Sequence, residues 1–563
     1  MKPLSIQEIR QITGAKGLSR IPATAPQVSS ISTDSRRLEP GSLFIALPGE
    51  TYDGHNYLRN AAAAGAVAAL VQRVPDVQLP NLHMLQVPDT KLAMGKLAKY
   101  VRQQMLSKVI AVAGSNGKTS TKHLIDAALH LVLHGSISPK SFNNDIGVPL
   151  TIFPADPLQD YLVLEVGTNH PGEIKILTEM AQPDIAVITN CGPEHLEFLG
   201  DLLGVRRENA TIIEGLNPKG LLVVNGDDPE LLEAVAAYPG KRITFGFSDT
   251  NDLFATDIRC DSTGVHFKLN AHTPVFVPLL GKHTAANALA AIAVARRLGL
   301  HEDAIIQGLS QATGPEMRLQ LQTVRGIQLL NDAYNANPAS MKAALDTLAA
   351  LNKDEDGRMK EEIRDKGQGG KGQEKNQLIP SPCNQAESKG GGSSSAFPGL
   401  SAVEGSVQNS AFNSNPLPTP PPEYKGRESV GNDANKNPSS FILHPSSFRT
   451  IAILGDMREL GPSSDRFHRE VGQAAAATNL DLLFCVGPQA KLIAEAAIQA
   501  GMAAAQVHHF ADSEKAAEAL ATAFGPGDTV LLKASRTVKL ERVAAAITQG
   551  RTHGFFPKES AAG

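Results

Sequence analysis

The chain has 563 residues, which is too long for one ordinary domain and indicates about three or four. Hydrophobic residues make up 42% and charged residues 20%, a balance typical of a globular protein that buries sizeable cores. The formal net charge of -4 excludes the strongly basic surface of a general nucleic-acid binder, and no run approaches the roughly 18 apolar residues of a membrane-spanning helix.

The cysteines and the N-terminus indicate the compartment. The four cysteines lie far apart and form no Cys-x-x-Cys pair; they are Cys191, Cys260, Cys383 and Cys485. This spacing argues against a zinc site or a disulfide framework and favours a reducing environment. The first five residues contain no apolar signal core. We therefore expect a soluble, cytoplasmic protein without an inserted membrane segment.

After a first unit of weaker periodicity, residues 1–107, short apolar runs alternate with helical patterns, as in parallel sheets. Runs at 109–113, 161–164 and 185–188 are apolar throughout and suit strands covered on both faces. Each run is followed by polar residues; these are the segment 114–120, Glu165, and Thr189 with Asn190. Ligands of open α/β sheets bind beyond the carboxyl ends of the strands, so we expect these groups to share one crevice.

Segment 114–120, with the sequence Gly-Ser-Asn-Gly-Lys-Thr-Ser, lies between a predicted strand and a predicted helix. Glycines let backbone N–H groups surround phosphate oxygens, and the helix N-terminus adds a favourable dipole. Lys118 is expected to reach the β- and γ-phosphates, and the Thr119 hydroxyl to bind Mg²⁺. Val112 stands where the usual P-loop pattern has glycine, so a glycine-rich turn that binds nothing is the alternative.

Two further residues complete a candidate phosphate site. Glu165, at a strand end, offers a hard oxygen ligand for Mg²⁺. His195 is a candidate second ligand or orienting group, although a single loop histidine is more often structural and Mg²⁺ prefers oxygen to imidazole.

Residues 353–448 differ from the rest of the chain. They are polar and rich in Gly, Ser, Asn, Pro and Lys, with a Gly-Gly-Gly-Ser-Ser-Ser run at 390–395. Such a segment cannot bury enough apolar surface to offset the entropy lost on ordering, so disorder is predicted. It follows a helical pattern at 339–352 and precedes a strand-like run at 450–454, which indicates an exposed insertion between a helix and a strand. A regulatory or docking role is the alternative.

A second set of apolar runs, at 451–454, 482–486 and 529–532, predicts another α/β domain. Its strands end in Gly455 with Asp456, in Gly487, and in Lys-Ala-Ser-Arg at 533–536. The predicted domains are residues 1–107, 108–316 and 317–563.

Several motifs occur in an order that resembles the Mur ligase family. The central ones are the segments 114–120, 141–149, 165–174, 195–197, 281–287 and 317–320. The run Asn-Asp-Ala-Tyr-Asn-Ala-Asn-Pro-Ala-Ser-Met at 331–341, with 455–461 and 533–536, resembles the family member that joins D-alanyl-D-alanine to UDP-N-acetylmuramoyl-tripeptide. The segments 32–37, 40–47 and 51–55 are similar to the UDP-sugar-binding domain of that member.

The resemblance implies a three-domain α/β architecture. An N-terminal UDP-sugar-binding domain precedes a central P-loop domain with a parallel sheet that binds ATP, and a C-terminal Rossmann-like domain carries the insertion. The implied reaction is ATP- and Mg²⁺-dependent amide formation through an acyl phosphate, which yields the pentapeptide precursor of peptidoglycan. The implied partners are the two small-molecule substrates, with no nucleic acid and no membrane insertion, and we expect a monomer.

The resemblance also implies roles for individual residues. Catalysis involves Lys118, Glu165 and His195, and Mg²⁺ is held by Thr119, Glu165 and His195. The ATP contacts are Gly114, Ser115, Asn116, Gly117, Lys118, Thr119, Ser120, Asn287, Arg318 and Asp332. The substrate contacts are Ser35, Arg36, Asn144, Asn335, Ser535 and Arg536, with an ordinary basic strand end as the alternative for 533–536. Because Arg318 and Asp332 lie near the start of the last domain, domain closure is expected to complete the ATP site.

One position departs from the family pattern. Mur ligases carry a lysine after the His-Leu-Glu motif that CO₂ carbamylates into an anionic Mg²⁺ ligand, and Asn209 stands there in this chain. An amide cannot form a carbamate. Glu208 is a possible replacement, but adjacent helical side chains point about 100° apart. We expect an active enzyme whose second metal site binds Mg²⁺ less tightly.

Three other interpretations stay open at this point. Another ligase of the family, which adds diaminopimelate, lysine or glutamate, would share the phosphate loop but is not expected to carry the Tyr-Asn-Ala-Asn-Pro motif at 334–338. A plain P-loop kinase or NTPase would leave the first and last domains without a role. A non-catalytic ATP-binding homologue is suggested by Asn209.

Overall fold

The structure is a computed structural model that describes residues 1–368 and 448–550, apart from residues 19, 20, 23, 75, 77 and 78. Helices and strands alternate along the chain and form three β-sheets, of five, nine and six strands. The predicted α/β class is therefore confirmed.

The first sheet lies within residues 16–86. Its elements are α1 (Ile6–Thr13), β1 (Lys16–Gly17), β2 (Ser30–Ser32), β3 (Ser42–Ile45), α2 (Leu58–Ala63), β4 (Ala68–Val71), β5 (His83–Gln86) and α3 (Thr90–Gln103). The strand order is β1-β5-β4-β3-β2, and only β1 is antiparallel to its neighbour. Helix α3 starts at the Asp89 cap, whose carboxylate accepts from the backbone N–H groups of Lys91 and Leu92.

The second sheet holds the predicted apolar strands. Its elements are β6 (Lys108–Ala113), α4 (Lys118–Leu129), β7 (Gly135–Ile137), α5 (Gly147–Ile152), β8 (Tyr161–Glu165), α6 (Glu173–Ala181), β9 (Ile185–Ile188), α7 (Leu196–Leu199), α8 (Leu202–Ala210), α9 (Ile212–Gly215), β10 (Leu221–Asn225), α10 (Pro229–Ala234), β11 (Lys241–Gly246), β12 (Leu253–Asp261), β13 (Gly264–Leu269), β14 (Thr273–Val277), α11 (His283–Arg297) and α12 (Glu302–Leu309). The strand order is β14-β13-β12-β11-β10-β9-β6-β8-β7.

Strand β6 lies between β8 and β9, and all three run parallel. Residues 109–113 of β6 are buried because one face of the sheet packs on α4 and α11 and the other on α3 and α6. The polar residues that follow these three strands therefore meet at one edge of the sheet, as predicted.

The third sheet lies within residues 320–533. Its elements are β15 (Gln320–Val324), β16 (Ile327–Asn331), α13 (Pro338–Gln368), β17 (Thr450–Gly455), α14 (Ser464–Ala476), β18 (Leu482–Val486), α15 (Ala490–Gln499), β19 (Val507–Phe510), α16 (Ser513–Leu520), β20 (Thr529–Lys533) and α17 (Glu541–Gln549). The order is β15-β16-β20-β17-β18-β19, parallel except for the pair β15 and β16.

Helix α13 continues to Gln368 and so extends into the predicted insertion at 353–448. The rest of that prediction, at 369–447, lies outside the described residues. The boundaries of the three domains stay a prediction. None of the helices in the described ranges is both long and apolar enough to span a bilayer.

Candidate functional site

The loop between β6 and α4 requires glycine at two positions. Gly114 has φ +125°, and a Cβ there would lie 2.1 Å from Thr189 Oγ1. Gly117 precedes α4 with φ +81°, and a Cβ there would lie 2.7 Å from Asn287 Oδ1. Helix α4 has no side-chain cap, so its first N–H groups are available to an anion.

Asn287 carries an unpaired buried donor beside this loop. The residue is 4% exposed on α11, and its Nδ2 has no hydrogen-bond partner. Nearly all buried polar atoms in proteins are paired, so an unpaired amide in a cavity wall points to an acceptor supplied by a ligand.

Lys118 lies over the phosphate loop. Its Nζ donates to the carbonyl oxygens of Gly114, at 2.5 Å, and Ser115, at 3.3 Å. The same Nζ lies 4.0 Å from Glu194 Oε2. The Lys118 ammonium is therefore held against the loop that precedes the N-terminus of α4.

Glu165 is buried at the end of β8 among three donors. Its Oε2 accepts from Thr119 Oγ1 at 2.9 Å and from Lys122 Nζ at 3.4 Å, and its Oε1 accepts from Asn143 Nδ2 at 3.2 Å. Lys122 has no exposed surface and also donates to the Ser138 carbonyl at 2.8 Å. Burial lowers the pKa of the Lys122 ammonium, and the nearby Glu165 carboxylate opposes that shift. Lys122 was not predicted from the sequence, although it lies one helical turn after Lys118.

The Thr119 hydroxyl and the Glu165 carboxylate are hard oxygen donors 2.9 Å apart, which fits the preference of Mg²⁺ for oxygen. The described ranges contain no group of three His, Cys, Asp or Glu side chains that could hold a metal. Mg²⁺ usually binds one or two carboxylates together with substrate phosphates, so these two residues fit a metal that arrives with a nucleotide.

His195 lies at a junction of the second and third sheets. Its backbone is left-handed, with φ +49°, immediately before α7. Its Nδ1 contacts the Glu459 carboxylate from the loop after β17, and its Nε2 lies 4.0 Å from Glu194 Oε2. The Glu197 backbone N–H also donates to the Glu459 carbonyl at 3.4 Å. His195 was predicted from the sequence, but the Glu194 and Glu459 carboxylates beside it were not.

One cavity of about 1390 Å³ brings most of the predicted site residues together. Its lining includes Ser115, Asn116, Gly117, Lys118, Ser120, Asn144, Glu165, His195, Asn287, Arg318, Asp332 and Asn335. Gly114 and Thr119 are not among the lining residues, but the Thr119 hydroxyl donates to Glu165, which lines the cavity.

The two predicted N-terminal contacts lie elsewhere. Ser35 and Arg36 follow β2 in the first sheet and do not line this cavity. Arg36 is exposed and forms a two-point ion pair with Asp34, at 2.9 and 3.0 Å.

Residues from the third sheet build the far wall of the cavity. Lys533 Nζ donates to Asp332 Oδ2 at 2.6 Å and to the Asn335 carbonyl at 3.0 Å. The backbone N–H of Leu319 donates to Asp332 Oδ1 at 3.2 Å. The Lys533 side chain is only 3% exposed, so it is a structural partner of Asp332 and Asn335.

Two guanidinium groups lie over the ring of Tyr334. The Arg318 Cζ is 4.4 Å from the centre of its ring, and the Arg536 Cζ is 5.6 Å away. Aromatic rings attract such cations over their faces, so the ring holds both arginines near the cavities.

A second cavity, of about 280 Å³, contains the remaining predicted contacts. Its lining includes Glu194, His195, Asn335, Arg458, Glu459, Ser535 and Arg536. We call it the acceptor cavity.

The beginning of α13 is tied to the phosphate loop. Asn337 Nδ2 donates to Asn116 Oδ1 at 2.8 Å, across 221 positions of sequence. Such a long-range amide pair leaves no local signal, so the motif at 331–341 did not predict the contact of Asn337 with the loop.

Glu208 and Asn209 both have structural partners on α8. The Glu208 carboxylate accepts from the backbone N–H groups of Gly172, at 2.6 Å, and Ile174, at 2.9 Å, at the start of α6. Asn209 is buried, and its Nδ2 donates to the Val205 carbonyl at 2.9 Å. Neither residue lines either cavity, so Glu208 does not take the place of the missing carbamate.

Comparison with known proteins gives a consistent set of relatives. Three family profiles match: "Mur ligase family, catalytic domain" over residues 27–102, "Mur ligase middle domain" over 112–295 and "Mur ligase, glutamate ligase domain" over 430–536. The chain is 31% identical to the UDP-N-acetylmuramoyl-tripeptide--D-alanyl-D-alanine ligase of Bacillus subtilis (strain 168), over 92% of each chain. It is 32% identical to the ligase of that name from Escherichia coli (strain K12), over 93% of this chain and 95% of that one.

Among solved structures, MurF from Acinetobacter baumannii is similar, with a TM-score of 0.72 and 27% identity over 98% of this chain and 99% of that chain.

Proposed function

The chain belongs to the Mur ligase family, and from this premise we propose that it joins D-alanyl-D-alanine to UDP-N-acetylmuramoyl-tripeptide with ATP. Two curated relatives that carry this name align over more than nine tenths of the chain. The structural observation that supports it most is the single cavity that contains the phosphate loop, the unpaired Asn287 amide and the third-sheet residues Arg318 and Asp332.

The proposed reaction has two steps. A carboxylate oxygen of the tripeptide attacks the γ-phosphorus of ATP, the P–O bond to ADP breaks, and an acyl phosphate forms. The ammonium of D-alanyl-D-alanine then loses one proton to the solvent, the nitrogen lone pair attacks the acyl carbon, and the C–O bond to phosphate breaks. Phosphate leaves, the nitrogen loses its one remaining extra proton to the solvent, and the pentapeptide precursor of peptidoglycan remains.

Phosphoryl transfer depends on positioning and on neutralising charge. Lys118 and the open N-terminus of α4 carry positive charge beside the loop, and Asn287 Nδ2 has a free donor for a phosphate oxygen. Thr119 and Glu165 would hold Mg²⁺, which when bound supplies further neutralisation of the phosphates.

Asp332 is proposed to bind the ATP ribose. Its two oxygens accept from Leu319 N and Lys533 Nζ, and a carboxylate has about four acceptor sites, so capacity remains for a hydroxyl. The ion pair with Lys533 fixes the position of this carboxylate in the wall.

The other substrates are assigned by position. Ser35 and Arg36 are proposed to contact the UDP-sugar, and Asn144, in the main cavity, the bound tripeptide substrate. Asn335, Ser535 and Arg536, in the acceptor cavity, are proposed to contact the dipeptide. The substrates are water-soluble nucleotides and peptides, and we propose that the protein acts in the cytoplasm.

The decisive test is phosphate release with UDP-N-acetylmuramoyl-tripeptide and ATP, with only the amine acceptor varied. We expect release to require both the tripeptide and D-alanyl-D-alanine. Release without any acceptor would identify an NTPase, and release with glutamate, lysine or diaminopimelate as acceptor would identify another ligase of the family. ATP binding without turnover under all these conditions would identify a non-catalytic homologue.

A further inference from the structure

The acceptor cavity has charges of opposite sign in its wall. Glu194 and Glu459 contribute carboxylates, and Arg458 and Arg536 contribute guanidinium groups. Its volume of about 280 Å³ lies just below the roughly 300–1,000 Å³ of ordinary small-molecule sites, so it suits a small ligand.

Glu194 is the carboxylate that both cavities share. The residue is 8% exposed, and its Oε2 lies 4.0 Å from both Lys118 Nζ and His195 Nε2. Both distances exceed a hydrogen bond, so neither Lys118 nor His195 donates to this carboxylate. A buried carboxylate in this state is suited to accept hydrogen bonds from a ligand.

Glu459 is already engaged on the other side of the imidazole. Its carboxylate contacts His195 Nδ1, and the loop that carries it is anchored by the Arg458 backbone N–H, which donates to Ser535 Oγ at 3.0 Å. Glu194 is therefore the anionic group of this cavity with the most hydrogen-bonding capacity left for a ligand.

Arg536 is the corresponding cation. It is exposed and stacks on Tyr334, and in the described ranges no carboxylate lies within ion-pair distance of its guanidinium. Arg458 differs, because its guanidinium lies 3.7 Å from the buried Asp456 carboxylate. A planar guanidinium presents paired donors that match a carboxylate.

We propose that the acceptor cavity binds its ligand as a zwitterion, with the ammonium at Glu194 and the terminal carboxylate at Arg536. The inference rests on the proposed function and assigns the orientation of the dipeptide within it. Because Glu194 also lines the larger cavity beside Lys118, the nitrogen end faces the phosphate loop, where the acyl phosphate would form.

The test pairs each protein charge with the ligand charge that it is proposed to bind. D-alanyl-D-alaninamide lacks the terminal carboxylate, and D-lactyl-D-alanine has a hydroxyl in place of the ammonium. In the unaltered protein we expect the amide to show a KM about 10 to 100 times that of the dipeptide, as loss of a charged hydrogen bond predicts. In R536Q the dipeptide and the amide should have KM values within about threefold, because the discriminating charge is gone.

The ammonium end is tested with E194Q. This variant should raise the KM of the dipeptide about tenfold or more, while the inhibition constant of D-lactyl-D-alanine stays within about threefold of its value in the unaltered protein. The exposed residues Glu518 and Arg466 line neither cavity, so E518Q and R466Q are the matched controls and should keep the normal KM values. Unchanged ADP affinity and melting temperature in E194Q and R536Q would show that both variants are folded.

Two outcomes would overturn the orientation. They are an R536Q variant that still discriminates against the amide as strongly as the unaltered protein, and an E194Q variant whose dipeptide KM is normal. Failure of the proposed function looks different, because phosphate release from the unaltered protein would then not depend on the dipeptide. Calorimetric binding of the dipeptide and its two analogues would still test the cavity in that case.

Discussion

At the scale of single residues, the phosphate loop has positions where substitution is restricted by the backbone and by close neighbours. Gly114 and Gly117 combine left-handed backbone with contacts that leave no room for a Cβ. Asn287, which packs against Gly117, has a buried amide that finds no partner in the protein. An unpaired buried donor costs folding free energy, so the protein is less stable without its ligand than it would be with this amide paired.

Asn287→Leu should therefore have opposite effects on stability and binding. Removing an unpaired buried donor should raise the free energy of unfolding, measured by urea without nucleotide, by about 1 kcal/mol. Affinity for ADP, measured by calorimetry, should fall about tenfold. A variant that is destabilised in the absence of nucleotide would show that the amide is satisfied in the unliganded protein.

The presence of asparagine at position 209 predicts that CO₂ does not affect the activity. Because an amide cannot form a carbamate, ligation by the unaltered protein should not change when bicarbonate is added or removed. Strong activation by bicarbonate, together with no effect of Asn209→Lys, would mean that the carbamylated position has been assigned to the wrong residue. The neighbouring Glu208 should not compensate, since its carboxylate binds the start of α6.

At the scale of elements, the end of β20 is joined to the segment after β16. Lys533 is buried and bonds both Asp332 and the Asn335 carbonyl, so one side chain fixes the loop that carries Tyr334. The loop after β17 is anchored in a similar way, because the Met457 backbone N–H donates to His468 Nε2 at 3.0 Å.

Lys533→Met should lower the free energy of unfolding by about 3–5 kcal/mol, because it leaves the Asp332 charge buried without its partner. The double variant with Asp332→Asn should recover part of that loss, since the uncompensated charge is then absent. Urea titrations of the two single variants and the double variant measure the coupling. Additive losses would show that the two side chains do not stabilise each other.

His468 should make stability depend on pH. It is fully buried, and burial lowers its pKa below the usual value of a histidine. The unfolded chain then binds a proton at a higher pH than the folded chain, so stability is present above the ordinary histidine pKa and is lost as the pH falls below it.

We expect the free energy of unfolding to decrease between about pH 7 and pH 5, with a slope of up to about 1.4 kcal/mol per pH unit from this residue. His468→Gln should reduce that slope in urea titrations. An identical slope in the variant would assign the dependence to other groups.

At the scale of the whole molecule, the sequence pattern was sufficient for the α/β class and for the convergence of the phosphate loop with Glu165. Both follow from local signals, namely apolar runs and the polar residues after them. Glu194, Glu459 and the pairing of Lys533 with Asp332 could not be found in this way. The His195–Glu459 contact joins residues 264 positions apart, and only the packing of the third sheet against α7 creates it.

The predicted insertion leads to an experiment on the complete chain. Helix α13 contributes Leu345 and Leu348 to the same core as β17, so the folded parts on either side of the segment already pack together. Replacing residues 369–447 by a glycine-serine linker should leave kcat and the KM values of ATP, the tripeptide and the dipeptide within about twofold of those of the unaltered protein. The reason is that the segment is predicted to bury little apolar surface. A larger loss of activity with an intact melting temperature would assign it a functional role.

The contact of the Tyr334 ring with both Arg318 and Arg536 has a practical consequence. The chain contains no tryptophan, so Tyr334→Trp would introduce a single indole fluorophore where the two cavities meet. Indole attracts cations more strongly than phenol does, which favours the same stacked arrangement. Nucleotide binding near Arg318 and dipeptide binding near Arg536 should each change the emission of that one ring. Following the emission after each substrate is added would show the order in which the substrates bind.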